Sequence, residues 1–251
     1  MRRRIAALAA VLGLAGCGSS AGGATKPTPT LTISAAASLK PALTRYDANF
    51  TPAQARAQFA GSDILAAQIE QGARPDVFAA ADTSLPRLLF AKQLVERPVD
   101  FAANRLVIAV PATGTRIRSI ADLERPGTAI AVGSPTVPIG VYTRQVLARL
   151  GTGASRILGN VRTQEPDVNG IVGKLTQGAA AAGFTYASDV RATHGQLRAI
   201  ALPASLQPVV TYAAAVVRGT AHHRQAVAYL EGLRSGAGQR DLIAAGFLPP
   251  P

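Results

Sequence analysis

The sequence predicts an α/β protein with largely parallel sheets, and three observations carry that reading. Short β-rich runs alternate with helical patterns from residue 31 to the end. Most helical patterns open on Ser, Asp or Pro, and several close on Gly, the punctuation expected of real helices. Two segments, 105–111 and 209–217, are long, apolar and β-rich. They read as two crossing strands that would join two lobes, although spacing alone does not prove it.

In chain order, residues 31–34 read as a strand and 39–48 as a helix, with Pro41 tolerated in its first turn. Ser62 opens a helix that places Leu65 and Ile69 on one face and stops at Gly72. Residues 76–81 form a buried strand and 84–94 a helix. The run 105–111 (RLVIAVP) is a strand, 119–124 a short helix and 128–132 a strand. A helix over 139–150 closes at Gly151, and Asp167 caps another that closes at Gly178. Strands over 181–186, 197–202 and 209–217 surround a short helix at 188–192. Helices over 222–234 and 239–244 finish the chain.

The first thirty residues are of another kind. MRRRIAALAAVLGLAGC sets three arginines before a short apolar run that ends in small residues, the pattern of a secretory signal peptide over 1–16. The run is too short to span a bilayer, which takes about 20 apolar residues. Leu14-Ala15-Gly16-Cys17 resembles the bacterial lipobox, so Cys17 is expected to become the acylated mature N-terminus. It is the only cysteine, which excludes a disulfide within the chain. Residues 17–30 then read as the lipidated cysteine and a flexible Gly/Ser/Thr/Pro tether. The expected location is extracytoplasmic, on the outer face of the cytoplasmic membrane. About 220 residues remain, enough for one large or two small lobes.

The formal charge is +12, and discounting Arg2, Arg3 and Arg4 leaves +9. Such a charge suits anions in general. No basic run interleaves with aromatics and no nucleic-acid motif occurs, so the arginines read as a solvated surface and nucleic acid is not an expected partner. Catalytic signatures are missing too. The chain has no G-x-S-x-G elbow, phosphate loop or G-x-G-x-x-G. Its three histidines, His194, His222 and His223, read as exposed, and no Cys/His cluster has zinc spacing. Asp76 and Asp82 read as turn and cap residues. A binding protein is expected, not an enzyme, with no resident cofactor or metal.

Two serines suggest what is bound. Ser38, in LTISAAASLKPAL (31–43), and Ser62, in FAGSDILAAQIEQG (59–72), both fall where a helix should begin, at the N-cap. A helix start carries unsatisfied N–H donors and the positive end of the dipole. Two converging starts, each with a hydroxyl, would hold a small anion without a charged side chain. Either serine alone is an ordinary cap. Three further segments fit the same use. GSPTVPIGVY (133–142) offers the N–H of Ile139, Asp167-Val168-Asn169 offers that of Val168, and FTYASD (184–189) places Tyr186 at a strand's C-terminal end. Taken singly, the first two are also plain helix starts, and Tyr186 a half-buried aromatic.

The set SAAASL (34–39), FAGS (59–62), LAAQIEQGARPDVFAAAD (65–82), NRLVIAVP (104–111), IAVGSPTVPIGVY (130–142) and FTYASD (184–189) resembles the periplasmic molybdate-binding proteins of ABC importers, in order across nearly the whole mature chain. The resemblance implies the two-lobed class II periplasmic binding protein fold, with two mixed, largely parallel sheets and an inter-lobe cleft. Lobe I would take 31–106 and 210–251, and lobe II 107–209. It implies oxyanion contacts at Ser38, Ser62, Ile139, Val168 and Tyr186, with molybdate, or tungstate, as ligand. An ABC permease and its ATPase would be partners of a monomeric receptor. Sulfate, or a sensor or adhesin use of the same fold, is the alternative.

A tetrahedral dianion that carries no proton accepts at every corner and suits a pocket made only of donors. Hydrogen phosphate would want an acceptor as well. Three departures from the family stand out. Asp63 follows Ser62 where a second serine is usual, and is expected to point outward. Residues 45–58 (RYDANFTPAQARAQ) lack a clean strand, and Ile139 replaces a common alanine.

Overall fold

The structure is a computed structural model that describes residues 28–251. The leader, Cys17 and nearly all of the expected tether lie outside the described residues. In chain order the strands are β1 (Thr30–Ala36), β2 (Gln54–Ala60), β3 (Val77–Ala80), β4 (Val99–Asn104), β5 (Leu106–Pro111), β6 (Ile130–Gly133), β7 (Val161–Glu165), β8 (Ala182–Tyr186), β9 (Leu197–Ala201) and β10 (Val210–Val216). The helices are α1 (Lys40–Ala48), α2 (Ser62–Glu70), α3 (Ser84–Ala91), α4 (Pro138–Leu150), α5 (Gly153–Gly159), α6 (Val168–Thr176), α7 (Ala187–Ala192), α8 (His223–Ser235) and α9 (Ala237–Ala244).

Two five-stranded sheets organise these elements. One has the order β2-β1-β3-β10-β4 and the other β7-β6-β8-β5-β9. Each has the same plan. In the first, β1 pairs in parallel with β2 and β3, while β10 runs antiparallel between β3 and β4. In the second, β6 pairs in parallel with β7 and β8, while β5 runs antiparallel between β8 and β9. The sheets are therefore mixed, with half of their pairings antiparallel. The runs 105–111 and 209–217 do not span two lobes as strands; each lies inside one sheet, next to an edge strand. The chain passes between sheets just before each of them, at Arg105 and over 202–209.

Both faces of each sheet are covered. In β3 every residue is buried. Val77 and Ala79 join the main core, and Phe78 and Ala80 the second cluster, which α2 and α3 complete with Leu65, Ile69 and Leu89. Such alternation follows from the period of two along a strand. Burying a Phe or Leu side chain is worth roughly 1.5–3 kcal/mol.

The sequence reading missed β2, β4, α5 and β7. Three of these are sheet edges. An edge strand faces water along one side and needs little apolar content. In β2 (QARAQFA) exposed polar positions alternate with half-buried Ala and Phe, and in β7 (VRTQE) exposed Arg and Gln alternate with half-buried Val, Thr and Glu.

His222 corrects the expectation of a plain surface histidine. Its Nδ1 lies 3.2 Å from Asp76 Oδ1, and its side chain is 35% exposed. Asp76 is more than a turn residue. It accepts from Thr32 N–H at 2.6 Å, from Thr32 Oγ1 at 2.8 Å and from the Thr220 hydroxyl. Burial alone would push the Asp76 carboxyl up, but these hydrogen bonds outweigh it and hold it below its usual range. The group ties β1 and β3 to the segment entering α8. His223 bonds Glu96 on the surface at 2.9 Å.

Candidate ligand site between the two sheets

Every one of the five site residues expected from the sequence sits at the C-terminal end of a strand in one of the two parallel sets. After β1 the chain makes one 3-10 turn, Ala37–Leu39, which holds Ser38. After β2 comes Gly61, and α2 begins at Ser62. Beyond β6 a turn leads to Pro138 and Ile139, and beyond β7 Pro166 and Asp167 lead to Val168. Tyr186 ends β8. Open α/β sheets present their crevice at these ends.

All five line one cavity. They are nearly inaccessible, at 1–3% exposure, so the cleft is shut around it. The cavity leaves only about 10 Å³ to the centre of a water-sized sphere. That is room for about one water-sized body, so the site as it stands is small. Ala, Gly, Val and Pro form most of the remaining lining, and no Lys, Arg or His belongs to it. The single carboxylate there, Asp167, caps α6 by accepting from Gly170 N–H at 3.1 Å.

The two serines are not the N-caps that the sequence suggested. Ala36 caps the 3-10 turn that contains Ser38, and Gly61 caps α2, which makes Ser62 its first helical residue. The hydroxyls are thereby released from capping. Ser62 Oγ accepts from Ala81 N–H at 3.1 Å, which leaves its proton to point elsewhere. Ser38 Oγ lies 2.9 Å from the Tyr212 hydroxyl. Ile139 carries the first N–H of α4, because Pro138 has none, and Val168 carries the first of α6. Three helix starts therefore bring orphan donors and positive dipole ends to one place.

Tyr186 is the decisive member. It is 1% exposed and its hydroxyl has no hydrogen-bond partner. A buried hydroxyl left unpaired costs about 1–3 kcal/mol, so its presence in the cavity lining implies something to bond. Burial, then the neighbouring Tyr212, Tyr142, Asp189 and Asp82, push the phenol well above its ordinary pKa and keep it a donor. Behind it, Asp189 Oδ2 accepts the Tyr186 N–H at 2.9 Å and fixes the strand-to-helix turn. Burial pushes that carboxyl up to about 8. The Tyr186 ring packs edge-on against Tyr142 at 6.4 Å and Tyr212 at 5.8 Å, so an aromatic row links the two sheets.

Asp63 does not point outward. Its Oδ2 accepts from Thr136 Oγ1 at 2.6 Å, across the cleft, and its Oδ1 is buried without a partner. Gly61 makes the other close approach: a Cβ there would lie 2.5 Å from the Pro166 carbonyl oxygen. Sequence reasoning missed this contact and the Ser38–Tyr212 bond, because each joins residues more than 70 positions apart and leaves no local signal. Among the described residues no cluster of His, Cys, Asp and Glu is placed to hold a metal, and no helix is long and apolar enough to cross a membrane.

Two mixed sheets with a shut, donor-lined crevice between them define a solute-binding protein of the two-lobed periplasmic type. The profile of the bacterial extracellular solute-binding proteins matches residues 31–248, and the chain belongs to that family. Its similarity to the molybdate-binding protein ModA of Mycobacterium tuberculosis is 35% identity, covering 96% of this chain and 94% of that one. The fold is also that of the Azotobacter vinelandii periplasmic molybdate-binding protein (TM-score 0.77, 20% identity, 88% of this chain and all of that one). The substrate-binding domain of a putative molybdenum ABC transporter from Clostridium difficile is similar too (TM-score 0.68, 26% identity, 88% and 99% covered).

Proposed function

We propose that this protein captures molybdate, or tungstate, in the cleft and hands it to an ABC permease. The Tyr186 hydroxyl, buried and partnerless in a cavity lined by hydroxyls and helix-start N–H groups, with one carboxylate, Asp167, engaged in capping α6, carries the reading. The family and the 35% identical molybdate-binding relative support it. Ser38, Ser62 and Tyr186 would donate through hydroxyls, and Ile139 and Val168 through backbone N–H groups. Neutral donors and helix dipoles hold a dianion without burying a counter-charge, which avoids its desolvation cost. Lobe I, 31–106 with 210–251, and lobe II, 107–209, would rotate about the crossings at Arg105 and 202–209 to release the anion. Cys17 would anchor the receptor outside the cytoplasmic membrane through its lipid.

Thermal unfolding with separate additions of molybdate, tungstate, sulfate and phosphate tests the reading. At a thousandfold excess over Kd a ligand of the folded state adds about 4 kcal/mol. Stabilisation by molybdate and tungstate alone, much reduced in Tyr186→Phe, is the expected result; no stabilisation by any of them rules the proposal out.

The Asp63–Thr136 bond exists only while the cleft is shut. Thr136→Val removes the donor and keeps the shape. A hydrogen bond to a charged acceptor is worth about 1.5–3 kcal/mol, so molybdate should leave about tenfold faster or more. Its association rate should hardly change, and stopped-flow displacement measures both.

A further inference from the structure

β5 starts at the crossing between the sheets, and its first residue lacks a strand on one side. Along an antiparallel strand the backbone groups of alternate residues turn to opposite neighbours. Arg105 turns to the β8 side, where its C=O accepts the Ala187 N–H at 2.9 Å. Residues of even number turn to the β9 side, and just past the far end of β5 the Ala112 N–H reaches the Gln196 C=O at 3.0 Å. Leu106 belongs to this second set. β9 ends at Ala201, opposite Val107, so no strand residue stands beside Leu106 to meet its N–H and C=O. Leu106 is fully buried, and both groups need partners.

Gln207 supplies them with one side chain. Its amide oxygen accepts the Leu106 N–H at 2.8 Å, and its amide nitrogen donates to the Leu106 C=O at 3.0 Å. An N–H and a C=O of one residue admit only this orientation of the amide. The side chain thus stands in for the missing rung of the ladder. The main chain of Gln207 is held to the same half of the molecule. Its C=O accepts from Arg149 Nη1 of α4 at 3.0 Å, and its N–H closes the 3-10 turn Ala204–Leu206 by donating to the Ala204 C=O at 3.3 Å. On the far side of the crossings, Val210 pairs with Asn104 in the first sheet. Between these two rungs lie only Arg105 in one crossing and Pro208–Val209 in the other. Without the amide, the unpaired stretch of the return crossing would reach back to Leu202.

We infer that Gln207 is a positioning residue for ligand capture: its amide ties the two crossings together and confines the pivot between the lobes to Arg105 and Pro208–Val209. The inference rests on the proposed rotation of the lobes about these crossings, and not on which anion fills the cleft. The same pair of bonds holds Leu106 in register opposite Tyr186, the cavity residue of β8. A short pivot leaves the open state few arrangements to lose on closing, so more of the contact energy appears as affinity.

Backbone amide NMR relaxation of the unliganded full chain tests this with no anion present. In the wild type, fast motion in the crossings should be confined to Arg105 and Val209, with Leu202 and 204–207 as rigid as β9. Gln207→Met keeps the length of the side chain and removes both bonds. Mobility should then spread back to Leu202. The Kd for molybdate should rise about fivefold, chiefly through slower association, because a smaller share of open molecules is poised to shut. A wild-type chain in which 202–207 move as freely as Val209 overturns the inference. So does a Gln207→Met protein that is less stable but keeps the wild-type mobility and affinity, since the bonds then only stabilise the fold. If Gln207→Met does not fold, Gln207→Glu, which sets a second oxygen against the Leu106 C=O, should give the same spread of mobility, and an unchanged pattern there counts equally against it. If the wild type binds no oxyanion, the reading of the site has failed, yet the amide pattern of the unliganded chain still decides where the pivot lies.

Discussion

Gly61→Ala is expected to cost about 10- to 100-fold in molybdate affinity while leaving the unliganded fold as stable as before. Gly61 has φ −57° and ψ 135°, which alanine adopts without strain. The new Cβ would lie 2.5 Å from the Pro166 carbonyl oxygen and 3.3 Å from Val137 Cγ2, both in the half of the molecule on the far side of the cleft, and 2.8 Å from Asp63 Oδ1, a side-chain tip on its own side. A backbone oxygen between β7 and α6 cannot step aside as the tip of a side chain does. Relief comes by parting the halves, which draws the Val168 N–H away from Ser62. Overpacking costs about 1–3 kcal/mol, and here the backbone part of the cost falls on the shut state, while the Asp63 side chain can turn aside. Calorimetry gives the affinity and a urea melt without ligand gives the stability. A variant that binds like the wild type would show that the shut geometry is not the bound one.

Gly140→Ala should act on the fold itself. A Cβ on Gly140 would lie 1.8 Å from the Ser134 carbonyl oxygen and 2.7 Å from that of Gly133. Both are backbone atoms at the end of β6, where the chain doubles back into α4. Alanine gains about 1 kcal/mol of helix propensity over glycine, but it cannot enter this contact. The net loss should be about 3 kcal/mol or more, a fall in Tm of about 6–12 °C for a chain of this size. The turn that presents Ile139 would be displaced too, so binding should fail together with stability. An unchanged melting temperature would contradict the close approach of α4 to β6.

Comparing the two glycines shows what a sequence discloses. Each belongs to a motif legible beforehand, FAGS and VPIG, because a helix start after a strand has local chemistry. All five expected contacts converge on one cavity for the same reason: they are ends of elements, and parallel strands carry their ends to a common edge. The caps were misassigned by one or two residues, since Ser38 and Ser62 spend their hydroxyls on distant partners, Tyr212 and Ala81. Asp63 was misplaced because its partner, Thr136, lies in the other half of the chain. Strands β2, β4 and β7 went unseen because edges need not be apolar, whereas β3, β5 and β10, buried on both faces, read as continuous apolar runs.

The position of β10 bears on how the molecule is made. It is the only bridge between β3 and β4, which do not pair with each other, yet it follows every strand of the second sheet in the chain. A polypeptide delivered from its N-terminus would complete the second sheet, which is contiguous from 106 to 201, before the first. Until Val216 arrives, the inner edge of β3 stays unpaired. The last-made strand is also the one that carries Tyr212, so the hydroxyl behind Ser38 arrives only when the first sheet is finished. Completion of the first sheet thus depends on a long-range pairing, and such pairings form slowly in general.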